Sequence, residues 1–333
     1  MPEADRERGY WITMIQEKEL KGKIFDIQGF SLQDGPGIRT TIFFKGCPLR
    51  CPWCHSPESQ AFNSQLSFLA AKCVGTEACA DACVKACPEN AVEYGPVKDG
   101  VKPGEKKQLI HVNREKCTEC WKCAEACYPK ALSKCGTDYT LDEVVNIALR
   151  DKMFYEDTGG VTLSGGEVLS QPEFALELLK RLKQEGINTA VDTTGFVKWE
   201  VIESILPYTD LFLYDLKNMD SALHKAVIGV PCELILENAK KIAEAGGKLQ
   251  IRIPFIPMFN DSEENLRATG QFVKELGDAV TMIQLLPYHN LGSVKYTRIM
   301  DNPKIFEATP PSDKKVQWAK EILESYGIKV GIH

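Results

Sequence analysis

The stretch Cys47-Pro48-Leu49-Arg50-Cys51-Pro52-Trp53-Cys54 decides how the rest of the chain is read. Three cysteines separated by three and then two residues can converge as thiolates on a soft metal centre. They offer three ligands, whereas an ordinary [4Fe–4S] cluster takes four. If no fourth cysteine closes the site, one iron stays open to something that is not protein. A zinc site is the competing reading, but zinc is usually held by four ligands with CxxC spacing.

Upstream, Ile38 to Phe44 is β-branched and aromatic and ends at Gly46, the pattern of a strand. Gly35-Pro36-Gly37 before it must turn sharply. The cysteines therefore fall on the loop at the carboxyl end of a strand, where α/β folds place their chemistry. Lys23–Ile27 alternates weakly and reads as a short strand. Further strands are expected at 160–164 and near 189–192, 211–216, 248–256 and 281–286, with helices between. Thr140-Leu141-Asp142-Glu143 and Ser170-Gln171-Pro172-Glu173 read as capping boxes opening two of those helices. Six strand–helix units result, too few for a full eight-stranded barrel, and a helix near 313–326 and a strand at 328–332 close the chain.

Between these units, about residues 67–136, the composition changes. Cys73, Cys79, Cys83 and Cys87 form one set, and Cys117, Cys120, Cys123 and Cys127 another. The second has the CxxCxxCxxxC spacing of bacterial ferredoxins, and the first is stretched. In two-cluster ferredoxins the fourth cysteine of each run ligates the other cluster. The expectation is one cluster on Cys73, Cys79, Cys83 and Cys127 and another on Cys117, Cys120, Cys123 and Cys87, with two zinc sites as the alternative. Residues 95–107, rich in Gly, Pro and Lys, read as a mobile surface loop. Cys135 and Cys232 match no ligand position and are expected to be buried apolar residues.

The 333 residues carry 40 Lys and Arg against 46 Asp and Glu, a formal charge of −6. With no basic cluster to meet phosphates, nucleic acid is discounted as a partner. No apolar run is long enough to span a bilayer, and the acidic start lacks the look of a secretory signal. Thirteen cysteines then point to metal rather than disulfides. A cytoplasmic monomer with a flexible tail over residues 1–21 is expected.

Polar residues stand at the strand ends. Gly165 and Gly166 let a ligand approach the backbone, and Glu167 adds an acceptor suited to an ammonium. Arg252 is a cation within an apolar strand, so it faces a ligand or an acid. Asp192, Asp215 and Lys217 follow two other strands, and the bland reading gives them capping and a surface ion pair. A lone His289 is more often structural. Trp53 offers a flat apolar face beside the cysteines.

The CxxxCxxC run, with Asp34-Gly35-Pro36-Gly37-Ile38-Arg39-Thr40 and Phe43-Phe44-Lys45-Gly46 before it and His55-Ser56-Pro57-Glu58 after it, resembles the glycyl-radical-enzyme activating enzymes of the radical S-adenosylmethionine superfamily. The resemblance implies a splayed partial (β/α)6 barrel over residues 22–66 and 137–333, with a ferredoxin-like two-cluster insertion at 67–136. It implies three [4Fe–4S] clusters, with Cys47, Cys51 and Cys54 as catalytic ligands. Gly165, Gly166 and Glu167 would hold the amino group of S-adenosylmethionine, Lys217 its carboxylate, and His289 and Trp53 its adenosyl part. Asp192 and Asp215 would flank a monovalent cation, and Asp34, Gly35 and Arg39 would contact the partner's glycine loop, near the cysteine loop rather than inside the core. The implied partners are a glycyl radical enzyme and a flavodoxin or ferredoxin reductant. Two other functions compete: a radical enzyme acting on a small metabolite, and an electron carrier on a degenerate scaffold. Cleavage of S-adenosylmethionine separates the carrier from the enzymes, and incubation with a glycyl radical enzyme separates the other two.

Overall fold

Parallel strands covered on both faces need nearly continuous apolar runs. Leu211-Phe212-Leu213-Tyr214 and Leu249 to Phe255 supply two of them, and their residues are mostly buried. The computed structural model describes residues 19–100, 104 and 106–333. Its strands are β1 (Lys21–Ser31), β2 (Arg39–Phe44), β3 (Gln65–Phe68), β4 (Val92–Asp99), β5 (Lys106–Val112), β6 (Leu132–Cys135), β7 (Thr137–Thr140), β8 (Gly160–Gly165), β9 (Thr189–Thr193), β10 (Leu211–Asp215), β11 (Leu249–Phe255), β12 (Val280–Pro287) and β13 (Val330–Ile332).

Nine of them make one mixed sheet in the order β13-β12-β11-β10-β9-β8-β2-β1-β7. From β2 through β13 every pairing is parallel, while β1 runs antiparallel to both β2 and β7. The six expected parallel strands are present, and β13 adds a seventh. β1 is longer than the short strand expected, with eleven residues.

Helices return the chain between the parallel strands and bury one face each. Phe174, Ala175, Leu178, Leu179 and Leu182 do so from the helix Pro172–Gln184. Fully burying a side chain such as Phe174 or Leu178 contributes roughly 1.5–3 kcal/mol. Thr140 forms the expected capping box with Glu143 at the helix Leu141–Asp151. The second box does not form, because Gln171 occupies the cap position without a capping bond. Gln171 instead bridges strands, accepting from the backbone N–H of Lys23 and donating to the carbonyls of Lys23 and Lys45. Met153 lies beyond the end of the helix Leu141–Asp151 and is 79% exposed.

The cysteine-rich segment packs as its own unit. Leu66, Val92, Leu109, Ile110, Val112, Ala131 and Leu132 make a separate apolar core with several of its cysteines. The unit is entered through β3 and left through β6, which pair antiparallel. The pairing starts at Gln65, two residues before the composition shifts. At the junction Ser64 Oγ donates to the Gly136 carbonyl at 2.7 Å, and Lys23 Nζ reaches Ser64 and Asp138. Most of the loop expected at 95–107 is a hairpin instead, β4 against β5, with a register shift at Tyr94–Val97 that absorbs Gly95 and Pro96. Residues 101–103 and 105, and positions 1–18 of the expected tail, lie outside the described residues. No helix among the described residues is long and apolar enough to cross a membrane.

Candidate active site

β2 ends at Phe44, and the chain turns at Gly46 in a left-handed conformation, φ 104°. A Cβ on Gly46 would meet the Phe62 ring at 2.6 Å. This turn brings Cys47, Cys51 and Cys54 together at the carboxyl edge of the main sheet. Burial pushes the Cys51 thiol up to about 12, opposed by the Lys217 ammonium. Cys47 is also raised, by burial and by the nearby Glu167 carboxylate, and Cys54 by burial. Half-buried thiols with raised pKa values of this kind ionise when a metal takes the proton's place. The two cysteines outside the three runs are elsewhere and buried, as expected: Cys135 beside Glu58, and Cys232 beside Met219 and Ser221.

Around these thiols the strand ends contribute polar groups. Gly165 has φ 118°, and a Cβ there would clash with the Phe44 backbone at 2.3 Å. Glu167 is buried, but its carboxylate is fully occupied. It accepts from Thr193 Oγ1 at 2.7 Å, Thr194 Oγ1 at 2.6 Å and the backbone N–H groups of Thr194 and Leu169. A carboxylate has about four lone-pair sites, so Glu167 ties β8 to the β9 loop, and Gly166 lets this turn pack against the Gly46 carbonyl, which a Cβ would meet at 2.4 Å.

Asp192 Oδ2 accepts from Ser164 Oγ at 2.7 Å and from Arg252 Nη1 at 3.0 Å. Asp215 Oδ2 accepts from Lys217 Nζ at 2.6 Å. Both carboxylates expected to flank a monovalent cation thus meet a side-chain cation in this fold. Burial works to lower the Lys217 ammonium, but Asp215 together with Cys51 and Cys47 more than offsets it and the net shift is upward. Lys217 is further fixed by Asn260, whose Nδ2 donates to the Lys217 carbonyl at 2.7 Å. Arg252 is an acid-paired cation, the option that its apolar strand required.

Burial pushes the Asp192 carboxyl up to about 6, against the pull of Arg252. A raised carboxyl binds its proton more tightly folded than unfolded, so this group stabilises the fold as pH falls from about 6 toward about 4. Its protonation nevertheless releases Arg252. The cleavage of S-adenosylmethionine that the resemblance implies is therefore expected to fall as pH is lowered through about 6 while the fold persists. Rates of 5′-deoxyadenosine release should show this acid limb, and Asp192→Asn should lack it; an unchanged limb in that variant assigns it elsewhere.

Trp53 is buried against Phe259 and Phe306, with ring centroids 4.6 and 5.6 Å away. With Cys54, Tyr288, His289 and Tyr296 it lines one small cleft. His289 is exposed and stacks on His55 at 4.2 Å. Tyr296, absent from the sequence reading, donates from its hydroxyl to the Pro52 carbonyl at 2.9 Å. Ser164, Thr193 and Thr194 were also missed, although each adjoins a strand-end motif.

The loop before β2 departs from expectation. Asp34 Oδ2 accepts from Ser31 Oγ and from Thr41 Oγ1 in the middle of β2, and its carbonyl accepts from Thr162 Oγ1 in β8. The loop therefore packs along the sheet rather than beside the cysteine loop. Arg39, expected to reach a partner, is fully buried. It donates to Thr162 Oγ1, to the Pro36, Thr158, Val161 and Asn188 carbonyls and to Asn188 Oδ1. Gly35, φ 117°, lies against the Arg39 stem.

Residues 119–269 match the Radical SAM superfamily model, and residues 33–92 match a 4Fe-4S single cluster domain. The indoleacetate decarboxylase activating enzyme of Tractidigestivibacter scatoligenes is 40% identical over 319 residues, covering 94% of this chain and 98% of that one. The choline trimethylamine-lyase activating enzyme of Oleidesulfovibrio alaskensis is 38% identical over 324 residues, 96% of this chain and 99% of that one. The benzylsuccinate synthase activating enzyme of Thauera aromatica is 41% identical over 276 residues, 82% and 80%. Among solved structures, a domain of a pyruvate-formate lyase-activating enzyme from Bacteroides vulgatus is 38% identical, with TM-score 0.45, and covers 53% of this chain and 99% of that one. The chain belongs to the radical S-adenosylmethionine superfamily and, within it, to the activating enzymes of glycyl radical enzymes.

Proposed function

We propose that the chain reductively cleaves S-adenosylmethionine to a 5′-deoxyadenosyl radical and uses it to take a hydrogen atom from a glycine of a partner glycyl radical enzyme. The observation that carries this reading is the trio Cys47, Cys51 and Cys54, half-buried together at the sheet edge beside Lys217 and Asp215. Three thiols without a fourth suit a [4Fe–4S] cluster with one open iron, which when bound supplies the coordination site and the electron for the cleavage. Lys217, held by Asp215 and Asn260, offers an ammonium to the methionyl carboxylate. The Gly165–Gly166 backbone offers carbonyls to the amino group, while Glu167 fixes that backbone through Thr193 and Thr194. Trp53 and His289 provide the flat faces for adenine. A monovalent cation between Asp192 and Asp215 would compete with Arg252 and Lys217 for the same oxygens.

The main sheet acts as a splayed partial barrel, and the segment near 67–136 as a ferredoxin-like unit with two further clusters. Its cysteines support this: Cys79, Cys127 and Cys73 neighbour Cys83, and Cys117, Cys87 and Cys120 neighbour Cys123. Burial and these neighbours push the Cys83 thiol up to about 11 and the Cys123 thiol up to about 12. Anaerobic reconstitution should give about twelve irons per chain, four per cluster; a value near eight would remove one of the two. The physiological donor is a reduced flavodoxin or ferredoxin.

The half-buried Asp34 carboxylate is held through one oxygen by Ser31 and Thr41, and its field reaches Arg252 and Asp192. Of the three loop residues expected to contact the partner, it is the one whose side chain the fold leaves partly exposed, since Arg39 is fully buried. Asp34→Ala is expected to lower glycyl radical formation about tenfold or more, the loss of one charge-assisted hydrogen bond of about 1.5–3 kcal/mol. Binding of S-adenosylmethionine should be spared. Electron paramagnetic resonance of the activated partner reads the first and calorimetry the second, and equal loss of both would make Asp34 a structural turn residue.

A further inference from the structure

The two four-cysteine cradles differ in how they meet the main sheet. Arg114, three residues before Cys117, donates from Nη1 to the Leu66 carbonyl and from Nη2 to the Arg298 carbonyl at 2.8 Å. Its Nε lies 4.0 Å from Asp301. Burial lowers the guanidinium, while Asp301, Cys117, Glu119 and Cys123 act to hold its charge. Leu66 lines one cavity with Cys87, Cys117, Cys120 and Cys123. Glu119, within the same cysteine run, accepts from Asn63 Nδ2 at 3.3 Å.

Arg298 closes the helix Ser293–Ile299, and Tyr296 of the same helix is hydrogen-bonded to Pro52 between Cys51 and Cys54. One contiguous path thus runs from Cys117 and Cys123 through Arg114 and this helix to the cysteine loop. Around the other cradle the bonds stay within the cysteine-rich segment. Lys107 Nζ donates to the Cys73 carbonyl at 2.9 Å, Cys79 Sγ to the Thr76 carbonyl at 3.5 Å, and Thr76 N–H to the Gln108 carbonyl at 2.9 Å.

We infer that the Cys117, Cys120, Cys123 and Cys87 cradle is the inner one, coupled to the Cys47–Cys54 loop by Arg114, and that the Cys73, Cys79, Cys83 and Cys127 cradle is the outer one. An electron from a reduced one-electron donor protein, oxidised by one equivalent, enters at the outer cradle and reaches S-adenosylmethionine through the inner. Arg114 is a positioning residue: it clamps the inner cradle to the main sheet, and its positive charge favours the more negative, reduced state there. This inference rests on the three-cluster reading above.

The test uses the full chain, reconstituted anaerobically, as Cys79→Ser/Cys83→Ser, Cys120→Ser/Cys123→Ser and Arg114→Gln. Each double variant should lose about a third of its iron; if neither does, the cluster reading itself falls. In the reduced protein, the cluster whose resonance shifts on adding S-adenosylmethionine should be broadened by a paramagnetic neighbour. That broadening should survive loss of the outer set and vanish with loss of the inner set, and the reverse result overturns the order. Should a double variant not fold, Arg114→Gln retains every cysteine. It should lower the potential of the insertion cluster that is coupled to the S-adenosylmethionine-responsive one and leave the other unchanged. A shift in neither, or in the uncoupled cluster alone, overturns the role of Arg114.

Discussion

Cys51→Ala is expected to abolish S-adenosylmethionine cleavage, with 5′-deoxyadenosine below detection, while the iron held by the other eight ligand cysteines remains. Cys51 lies between its two companions and nearest the Lys217–Asp215 pair, whose charges both act on its thiol. Removing it leaves two thiols, too few to hold a cluster at that edge. No other cysteine is at hand to replace it, since Cys135 and Cys232 are buried in contacts of their own. Chromatography of the cleavage products and iron analysis of the same sample check both halves. Retained cleavage would move the catalytic centre away from this loop.

The second large effect is on stability. Arg39→Ala should cost about 3–5 kcal/mol, from buried acceptors left unpaired at about 1–3 kcal/mol each and from the cavity left behind. Arg39 is among the largest fully buried side chains, and every bonded partner is a neutral oxygen. Alanine would strand Asn188 Oδ1, which accepts from both terminal nitrogens of Arg39 and from no other group, and leave a cavity between β2 and β8. Arg39→Lys should rescue little, because an ammonium cannot reach Thr162 and Asn188 at once as the planar guanidinium does. Denaturant midpoints measured without oxygen provide the check, and a loss below about 1 kcal/mol would show that the chamber closes on itself.

The contrast between these two residues shows what could be read from the sequence. The cysteines were legible because metal chemistry fixes their spacing locally, within eight residues. Parallel strands such as 211–215 were legible because burial on both faces leaves a continuous apolar run. Arg39 was not, since its partners Thr162 and Asn188 lie more than a hundred residues away and only the β2–β8 pairing brings them in. Glu167 does lie near Cys47, but its oxygens were assigned to a ligand when Thr193, Thr194 and Leu169 take them. The misread capping box at Ser170 has a similar cause: Gln171 is drawn away by strand backbones that no local pattern reveals. The hairpin at 92–112 hid behind Gly95 and Pro96, residues that break strands unless a bulge accommodates them.

The clasp of Lys23, Ser64, Gly136 and Asp138 also bears on how such a chain could be remodelled. The points where the cysteine-rich segment leaves and rejoins the main sheet are held together directly, by the Ser64–Gly136 hydrogen bond, the Lys23 bridge and the adjoining β3–β6 pairing. What lies between them spans no gap and bears no part of the sheet's closure. Exchanging some 70 residues for a five-residue turn changes the loop-closure entropy by only about 2 kcal/mol, and in the favourable direction. The segment is in effect a cassette, which an engineer could excise or exchange for another electron-transfer module while keeping the same catalytic sheet.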